Sequence, residues 1–355
     1  MLRETAARIL AGHREAGTAE AERAREVVAG HLSALGYRIS FQRFRFHPSS
    51  LLGLPIFGAG VGASALLALP LLTLPGVAAA GALAVWATVL VATACLATGV
   101  AAGWLTLGDA REDGNVIAVR SDAPVRRWIV AHLDTKAQGQ SMAGRLVAVW
   151  VLAAAIVGTG GLSVARLWGP VPLWVGAAAA ALGVAAGALA GRGRLRGTSR
   201  GARDNGSGIV AALAFAEASS DPGSGVLITG GEEFGLVGAR VFARVQGDLA
   251  GTEVVNLDTI DDEGHLFVVS HDPRGATSAR AVTARLGGLG LTVQARRLPL
   301  GILVDSLPLA RAGASAITIG RLTWRTLRLI HTPSDVPETL SLEAAEGVGR
   351  ALAVN

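Results

Sequence analysis

Lysine is nearly absent from this chain. Lys136 is the only one in 355 residues, so the net charge of +5 rests almost wholly on arginine. Charged residues of both signs make up 17% of the chain and hydrophobic residues 51%. Soluble domains carry roughly a quarter charged residues, so part of this chain does not sit in water. The single cysteine, Cys95, excludes an intramolecular disulfide and lies in an apolar run, where a thiol is inert filling. With no cysteine cluster, any metal must be held by His, Asp and Glu. Aromatic residues are sparse, at 5%, and no Arg/Lys-rich face alternates with them. The positive balance therefore does not form a nucleic-acid footprint.

The longest absence is of charge. From Pro48 to Gly108 there is no Asp, Glu, Lys or Arg, which is room for two membrane helices of about 20 residues each. The spans are expected near Leu51–Leu72 and Val77–Ala101, with Pro70 to Gly76 as the turn between them. Gly58 and Gly62 form one small-xxx-small pair suited to a close helix contact. Two further uncharged stretches lie between Arg145, Arg166 and Arg192. They predict spans near Leu146–Val164 and Val171–Ala190, turning at Leu167-Trp168-Gly169-Pro170. Trp168 and Trp174 suit an interfacial belt at that turn. The plainer reading is two pairs of buried core helices in a soluble protein, and four uncharged Ala/Leu/Val/Gly segments fit it poorly.

Both insertions are hairpins, so the hydrophilic parts are expected on one face of the bilayer. That face carries Arg43, Arg45, Arg111, Lys136, Arg145, Arg192, Arg194, Arg196, Arg200 and Arg203, and the opposite turns carry only Arg166. The excess of basic residues marks the cytoplasmic side, which predicts a multi-pass protein of the cell membrane with a cytoplasmic soluble domain. The opening Met1–Gly12 is too charged and too short in apolar run for a signal peptide. Gly191-Arg-Gly-Arg-Leu-Arg-Gly197 has the wrong spacing for a phosphate loop and reads as a basic anchor at the lipid surface. The expected division is 1–50, 106–142 and 193–355 for one hydrophilic domain, with hairpins at 51–105 and 143–192.

The hydrophilic parts alternate strands and helices, as an α/β domain with a mixed sheet does. Ala19–Leu35 has helical spacing and Arg38–Phe46 alternates as a strand. Short apolar strands are expected at Asn115–Val119, Trp128–Ala131, Val226–Thr229, Glu253–Leu257, Leu266–Ser270, Thr292–Arg296 and Ala316–Ile319. Helices are expected at Ser207–Ala218, Gly238–Val245, Ser278–Leu286, Pro308–Ala312 and Leu342–Val354.

Five stretches place His and acidic residues at the ends of these strands or the starts of helices. They are His132-Leu-Asp134, Asp204-Asn205-Gly206, Glu232-Glu233, Asp258 and His331-Thr-Pro-Ser-Asp335. Each alone has a plain reading: a core histidine, a turn, an acidic helix start, a strand-end cap, a loop. Jointly they fit metal chemistry at the carboxyl ends of strands in an open α/β sheet. Zinc takes imidazole and carboxylate ligands and leaves a position for water at catalytic sites. Two His and three acidic residues suffice for two ions if one carboxylate bridges them, and a further carboxylate then serves as the base. Asp134 is placed to orient His132 through that ring's second N–H.

The motifs Ala131-His-Leu-Asp134, Gly201-Ala-Arg-Asp-Asn205, Gly231-Glu-Glu-Phe-Gly235, Asn256-Leu-Asp258 and His331-Thr-Pro-Ser-Asp335 resemble, in order, those of the aminopeptidase Y and bacterial leucyl aminopeptidase family of di-zinc exopeptidases. The resemblance runs from about Val116 onward. It implies a zinc-exopeptidase-like α/β fold, a mixed sheet sandwiched by helices, here with four transmembrane helices inserted as two hairpins. It implies two zinc ions, one on His132 and Asp258 and one on Glu233 and His331, bridged by Asp204. Glu232 would be the general base, and the peptide bond after Asp204 would be cis. Val304-Asp305-Ser306 resembles a segment flanking the substrate pocket, which makes Asp305 and Ser306 pocket candidates.

Three departures stand out. Each hairpin replaces a loop of the family, the second between His132 and Asp204. Ile330 stands where many relatives carry a tyrosine whose hydroxyl can stabilise an oxyanion. The function expected is a membrane-anchored zinc aminopeptidase acting on peptides. The alternatives are an enzyme that keeps the metals but changes the reaction (for example a carboxypeptidase, deacylase or cyclase) and a non-catalytic membrane scaffold or transporter subunit with a vestigial peptidase domain. Nothing in the sequence sets the oligomeric state.

Overall fold

The computed structural model describes residues 1–73, 77–298 and 302–354. The chain divides into two compact units. One comprises Met1–Phe46, Ala110–Ala137 and Gly197–Asn355; the other comprises His47–Asp109 and Gln138–Arg196.

The chain opens with α1 (Leu2–Leu10), a helix not expected from sequence, whose Leu2, Ala6, Ile9 and Leu10 are buried at helical spacing. Thr18 caps α2 (Ala19–Ala34) by accepting the Ala21 N–H at 3.2 Å, with Glu20 and Glu22 in its first turn. Then come β1 (Arg38–Phe46), α3 (Gly53–Leu72) and α4 (Val77–Ala101). Pro70 lies inside α3, and the rest of the expected turn, residues 74–76, lies outside the described residues. The chain continues through β2 (Arg111–Val119), β3 (Arg127–His132), α5 (Met142–Ala165), α6 (Leu173–Gly191) and α7 (Gly208–Ala218). It ends with β4 (Ser224–Thr229), α8 (Val237–Gln246), β5 (Glu253–Ile260), β6 (His265–Ser270), α9 (Pro273–Gly288), β7 (Val293–Arg297), α10 (Ser306–Arg311), β8 (Ser315–Leu322), α11 (Trp324–Leu329) and α12 (Glu343–Ala353).

Two differences from expectation come from capping. Asp272 accepts the Gly275 N–H at 2.8 Å and Pro273 takes the first helical position, so α9 starts five residues before Ser278. Thr323 and Thr326 form a reciprocal capping box that starts α11, a helix too short for its periodicity to be seen.

In the first unit the eight strands form one mixed sheet in the order β1-β2-β4-β3-β5-β8-β6-β7. The central neighbours β4, β3, β5 and β8 run parallel, and β1, β2 and β6 join antiparallel. Side chains alternate between two apolar cores. Ile129, Ala131, Val226, Ile228, Val255 and Leu257 face one, with α7 and α12. Trp128, Val130, Leu227 and Val254 face the other, with Phe242 of α8 and Leu309 of α10. Parallel strands covered on both faces are apolar throughout, which is why these runs are short and continuous.

The second unit is helical. Each of its four helices is long and apolar enough to cross a membrane, by length and composition. They pack partly on each other: Gly58 of α3 meets Gly187 of α6 so closely that a Cβ on Gly187 would lie 2.7 Å from the Gly58 carbonyl oxygen. Gly62 likewise meets Gly183. Trp104, Trp150, Val157, Trp168 and Trp174 are largely exposed.

Within the first unit, Arg25 of α2 is buried. Its Nε donates to the Gly114 carbonyl at 2.9 Å, and its other nitrogens pair with Glu22 and buried Asp113. Arg25→Ala leaves Asp113 buried without its cation and should cost about 3–5 kcal/mol of stability. Unchanged thermal unfolding of the variant would show that this pair does not hold α2 to the sheet edge.

Candidate metal centre

The parallel strands β3, β4 and β5 deliver the acidic and imidazole groups from their carboxyl ends, where open α/β sheets place ligands. His132 is the last residue of β3. After β4, Gly230 and Gly231 turn the chain. A Cβ on Gly230 would meet Asp113 Oδ2 at 2.6 Å, and Gly231 has φ +63°, so both positions suit glycine. Glu232 and Glu233 follow. Asp258 sits on β5 beside the irregularity that ends its regular pairing with β8. Asp204 lies in a π-type turn before α7, and its peptide bond to Asn205 is cis. His331 follows α11 with φ 64°.

These groups converge. His132 Nε2 lies 3.2 Å from Asp204 Oδ1 and 3.9 Å from Asp258 Oδ1. His331 Nε2 lies 3.0 Å from Asp204 Oδ2 and 3.4 Å from Glu233 Oε1. Asp204 therefore turns one oxygen to each histidine. Two groups result, His132/Asp204/Asp258 and Asp204/Glu233/His331, each with its candidate ligand atoms within 4.8 Å of one another. Glu232 Oε2 stands 4.0 Å from His132 Nε2. Glu233 Oε1 is buried and has no hydrogen-bond partner among the described residues. An open carboxylate oxygen among imidazoles and carboxylates is the donor chemistry of zinc. The residues present fit two ions sharing Asp204.

Burial and mutual charge perturb every group here. Burial pushes Glu232 well above the usual carboxylate range, against the pull of His132, and Glu233, Asp305 and Asp258 add repulsion. Burial likewise raises Asp258 to about 6. Asp204 is held well below its ordinary value: burial would raise it, but hydrogen bonds from both histidines prevail. Burial would also raise Glu233, yet Lys136 and His331 bring it to about 2. Burial lowers His132, and the charges of Glu232, Asp204 and Asp258 outweigh that and raise it well above its usual value. A carboxyl group that holds its proton toward neutrality beside ionised neighbours suits acid–base work.

Two other carboxylates fix the turns. Asp134 accepts the Glu232 N–H at 3.0 Å on one oxygen and the Glu233 N–H at 3.1 Å on the other. Asp335 does the same for Arg203 at 2.9 Å and Asp204 at 3.1 Å. This alters the role expected for Asp134. Its carboxylate is 3.8 Å from His132 Nδ1, and its own main-chain carbonyl, at 3.0 Å, is the group that meets the ring. Backbone N–H groups in reach are fixed donors, so the carboxylate serves them.

The pocket candidates separate. Asp305 is fully buried, pushed to about 7 by burial and bonded by the Thr229 hydroxyl, with Oδ1 unpartnered among the described residues. Ser306 is instead engaged by His271 and Thr318, both at 2.6 Å. It is taken up by that buried chain of hydrogen bonds and not by the cluster.

Sequence reasoning gave no role in the site to four residues found here. Lys136 meets Glu233 in the buried cluster. Asp335 and Asn205 were visible only as motif members; Asn205 donates to the Leu257 carbonyl at 2.8 Å and accepts from the Thr259 N–H at 3.2 Å, tying the Asp204 turn to β5. Arg14, lowered to about 10 by burial, donates to the carbonyls of Leu133, Arg200 and Gly201 at 2.9, 2.6 and 2.9 Å. It closes the gap left in this unit by residues 138–196. No local pattern marks an arginine that will be buried by segments more than a hundred residues away.

A family model described as "Peptidase family M28" matches residues 115–354. No curated protein matches the chain. Among solved structures, glutaminyl cyclase of Fimbriiglobus ruber is similar at TM-score 0.57 and 14% identity, over 99% of this chain and 93% of that one. A zinc aminopeptidase from Bacillus subtilis is similar at TM-score 0.57 and 15% identity, over 99% and 92%. An aminopeptidase from Aneurinibacillus sp. strain AM-1 is similar at TM-score 0.56 and 14% identity, over 99% and 92%. These likenesses show a shared α/β fold, a mixed eight-stranded sheet flanked by helices of zinc-exopeptidase type.

Asp335→Asn places an amide where two backbone N–H groups need an acceptor. Zinc affinity, read against a competing chelator, should fall about 10–100-fold while the fold persists. Unchanged affinity would show that the Asp204 turn holds its shape without this clamp.

Proposed function

The chain belongs to peptidase family M28, and from that premise we propose that it is a membrane-anchored, zinc-dependent aminopeptidase that removes N-terminal residues from peptides. The observation that carries the reading is the Asp204 carboxylate, with one oxygen 3.2 Å from His132 and the other 3.0 Å from His331. A bridging carboxylate between two His/acid pairs is what a two-zinc site requires. His132 and Asp258 would hold one ion, Glu233 and His331 the other.

Zinc at these positions supplies a Lewis acid and lowers the pKa of water toward neutrality. The protein's own part is positioning and proton transfer. Glu232 is buried with Oε2 4.0 Å from His132 Nε2 and lies in neither three-residue ligand group, so as a carboxylate it would take the proton from the water that attacks the first peptide carbonyl. It then returns that proton to the departing amine. Asp305, buried and with one oxygen unpartnered among the described residues, is the acceptor we assign to the substrate's free amino group. Buried Ile330 offers no hydroxyl to a developing oxyanion.

A second reading keeps the site and changes the reaction. Similarity in fold to a glutaminyl cyclase favours cyclisation of an N-terminal glutamine, which releases ammonia and no amino acid. The membrane part of the proposal rests on the four long apolar helices and the exposed tryptophans. An apolar surface of that extent calls for lipid or a partner. The basic residues flanking the helices support a cytoplasmic peptidase unit.

Glu232→Gln should lower kcat by about 10²–10⁴-fold with zinc content unchanged. Full activity with zinc bound would overturn the assignment of the base. Peptides with free and blocked N-termini decide the reaction class: only free-amine peptides should release an amino acid, whereas ammonia from N-terminal glutamine would establish the cyclase reading. Turnover of neither, with no zinc retained, would leave the scaffold reading standing. A cysteine at position 200, in a chain with Cys95 replaced by serine, should resist an impermeant thiol reagent applied to intact cells. Labelling from outside would reverse the orientation, and release of the protein by alkaline carbonate would overturn the anchoring.

A further inference from the structure

A cleft of about 420 Å³ opens in the first unit, and none of its lining residues is a candidate metal ligand. One wall is a stripe of α1 and the residue after it, Arg3, Ala6, Ala7, Leu10 and Ala11, at the spacing of a single helical face. The alanines of that stripe have no side chain beyond Cβ, which leaves the hollow. The facing wall brings Arg200, Pro337, Glu338, Leu342 and Glu346. Two arginines and two glutamates thus stand over an apolar floor, in a space of the size that small-molecule sites have. The charges pair with each other: Arg200 with Glu338, and Arg3 Nε with Glu346 Oε1 at 3.4 Å, where Arg350 also lies at 3.2 Å. The Arg3 and Glu338 side chains are 75% and 62% exposed, and ion pairs in such positions are weak enough to change partners at small cost.

We propose that this cleft binds a free α-amino acid with an apolar side chain, its carboxylate on an arginine and its ammonium on a glutamate. Lining charges of both signs in equal number favour neither an anion nor a cation. A ligand that carries both signs close together makes a charge-assisted hydrogen bond at each end, and these are the strong ones. The apolar floor takes the side chain, which leaves water on entering. The ligand class follows from the cleft; its meaning, a product that acts back on the enzyme, rests on the aminopeptidase reading. The cleft also borders the turn that carries Asp204. Leu10 of its floor leaves no room for a Cβ on Gly206. Arg200 stands four residues before Asp204, and its carbonyl accepts from Arg14 at 2.6 Å. Pro337 lies two residues after Asp335, which accepts the Asp204 N–H at 3.1 Å. A molecule held between these walls braces the segments on either side of the bridging carboxylate, since a ligand stabilises the native state it binds.

The test is a calorimetric titration of L-leucine into the full-length protein, as isolated and again after chelation of metal. One saturable equivalent should survive chelation. Ala7→Trp fills the hollow from an exposed position and should abolish that equivalent while the fold persists. N-acetyl-L-leucine, which lacks the ammonium, and L-leucinamide, which lacks the carboxylate, should each bind at least about tenfold more weakly. In the metal-free protein, leucine should slow hydrogen exchange across residues 201–206 of the wild type and leave it unchanged in Ala7→Trp. No saturable equivalent, an equivalent lost on chelation and kept in folded Ala7→Trp, or N-acetyl-leucine binding as tightly as leucine overturns the proposal. Unaltered exchange at 201–206 with leucine bound overturns the link to the Asp204 turn. Leucine binding by a protein that releases no amino acid from free-amine peptides overturns the aminopeptidase reading and leaves the ligand of the cleft standing.

Discussion

Asp134 and Asp335 each commit both carboxylate oxygens to adjacent backbone N–H groups, of Glu232 and Glu233 in one case and of Arg203 and Asp204 in the other. Those two pairs of bonds are what turn four strand ends and loops into one centre. A side chain is aimed by its backbone, and Glu232, Glu233 and Asp204 all sit in turns that no sheet ladder constrains. A buried carboxylate is costly unless its oxygens are satisfied, and here the satisfaction and the positioning are the same bonds. Both groups are raised in pKa by burial, Asp335 to about 6, with the backbone hydrogen bonds working against that rise.

The same unit absorbs two long insertions without losing this geometry. Phe46 pairs with Arg111 in the β1–β2 ladder, so the chain leaves and re-enters at neighbouring residues of two strands. The second gap is closed by Thr135, whose hydroxyl donates to the Ser199 carbonyl at 3.1 Å, and by Arg14, which binds carbonyls on both sides. The ends of a hairpin lie close together by construction. An insertion of this kind costs the host little more than loop-closure entropy, which grows slowly with length. Membrane-type helices and a peptidase fold can therefore share one chain with the ligand-bearing loops intact.

Charge is distributed unevenly across the centre. Carboxylates outnumber the cations around His132, while the only lysine is placed beside Glu233. In a site this dry, one ammonium alters the field at neighbouring atoms far more than a surface lysine does. The two candidate positions share a bridging ligand and still present different environments to an ion.

Periodicity made the strands legible, because parallel strands covered on both faces become short apolar runs, and Arg38–Phe46 alternates in the manner of an edge strand. It left α1 and α11 unseen, one for its position at the charged opening and the other for its length. Motif chemistry pointed to His132, Asp204, Glu232, Glu233, Asp258 and His331, since residue types that bind zinc at strand ends are few. It did not reveal the hydrogen-bond partners of Asp134 and Ser306, because both depend on which group is nearest in space: the N–H groups of Glu232 and Glu233 for one, His271 and Thr318 for the other. By itself the sequence determined the α/β class, the four apolar segments and the inventory of possible ligands, which depend on composition and local period. Only the tertiary structure decided that Asp204 turns one oxygen to each histidine, that Asp335 and Arg14 hold the turns, and that Lys136 meets Glu233. Those contacts join residues far apart in the chain, and no local pattern encodes a distance.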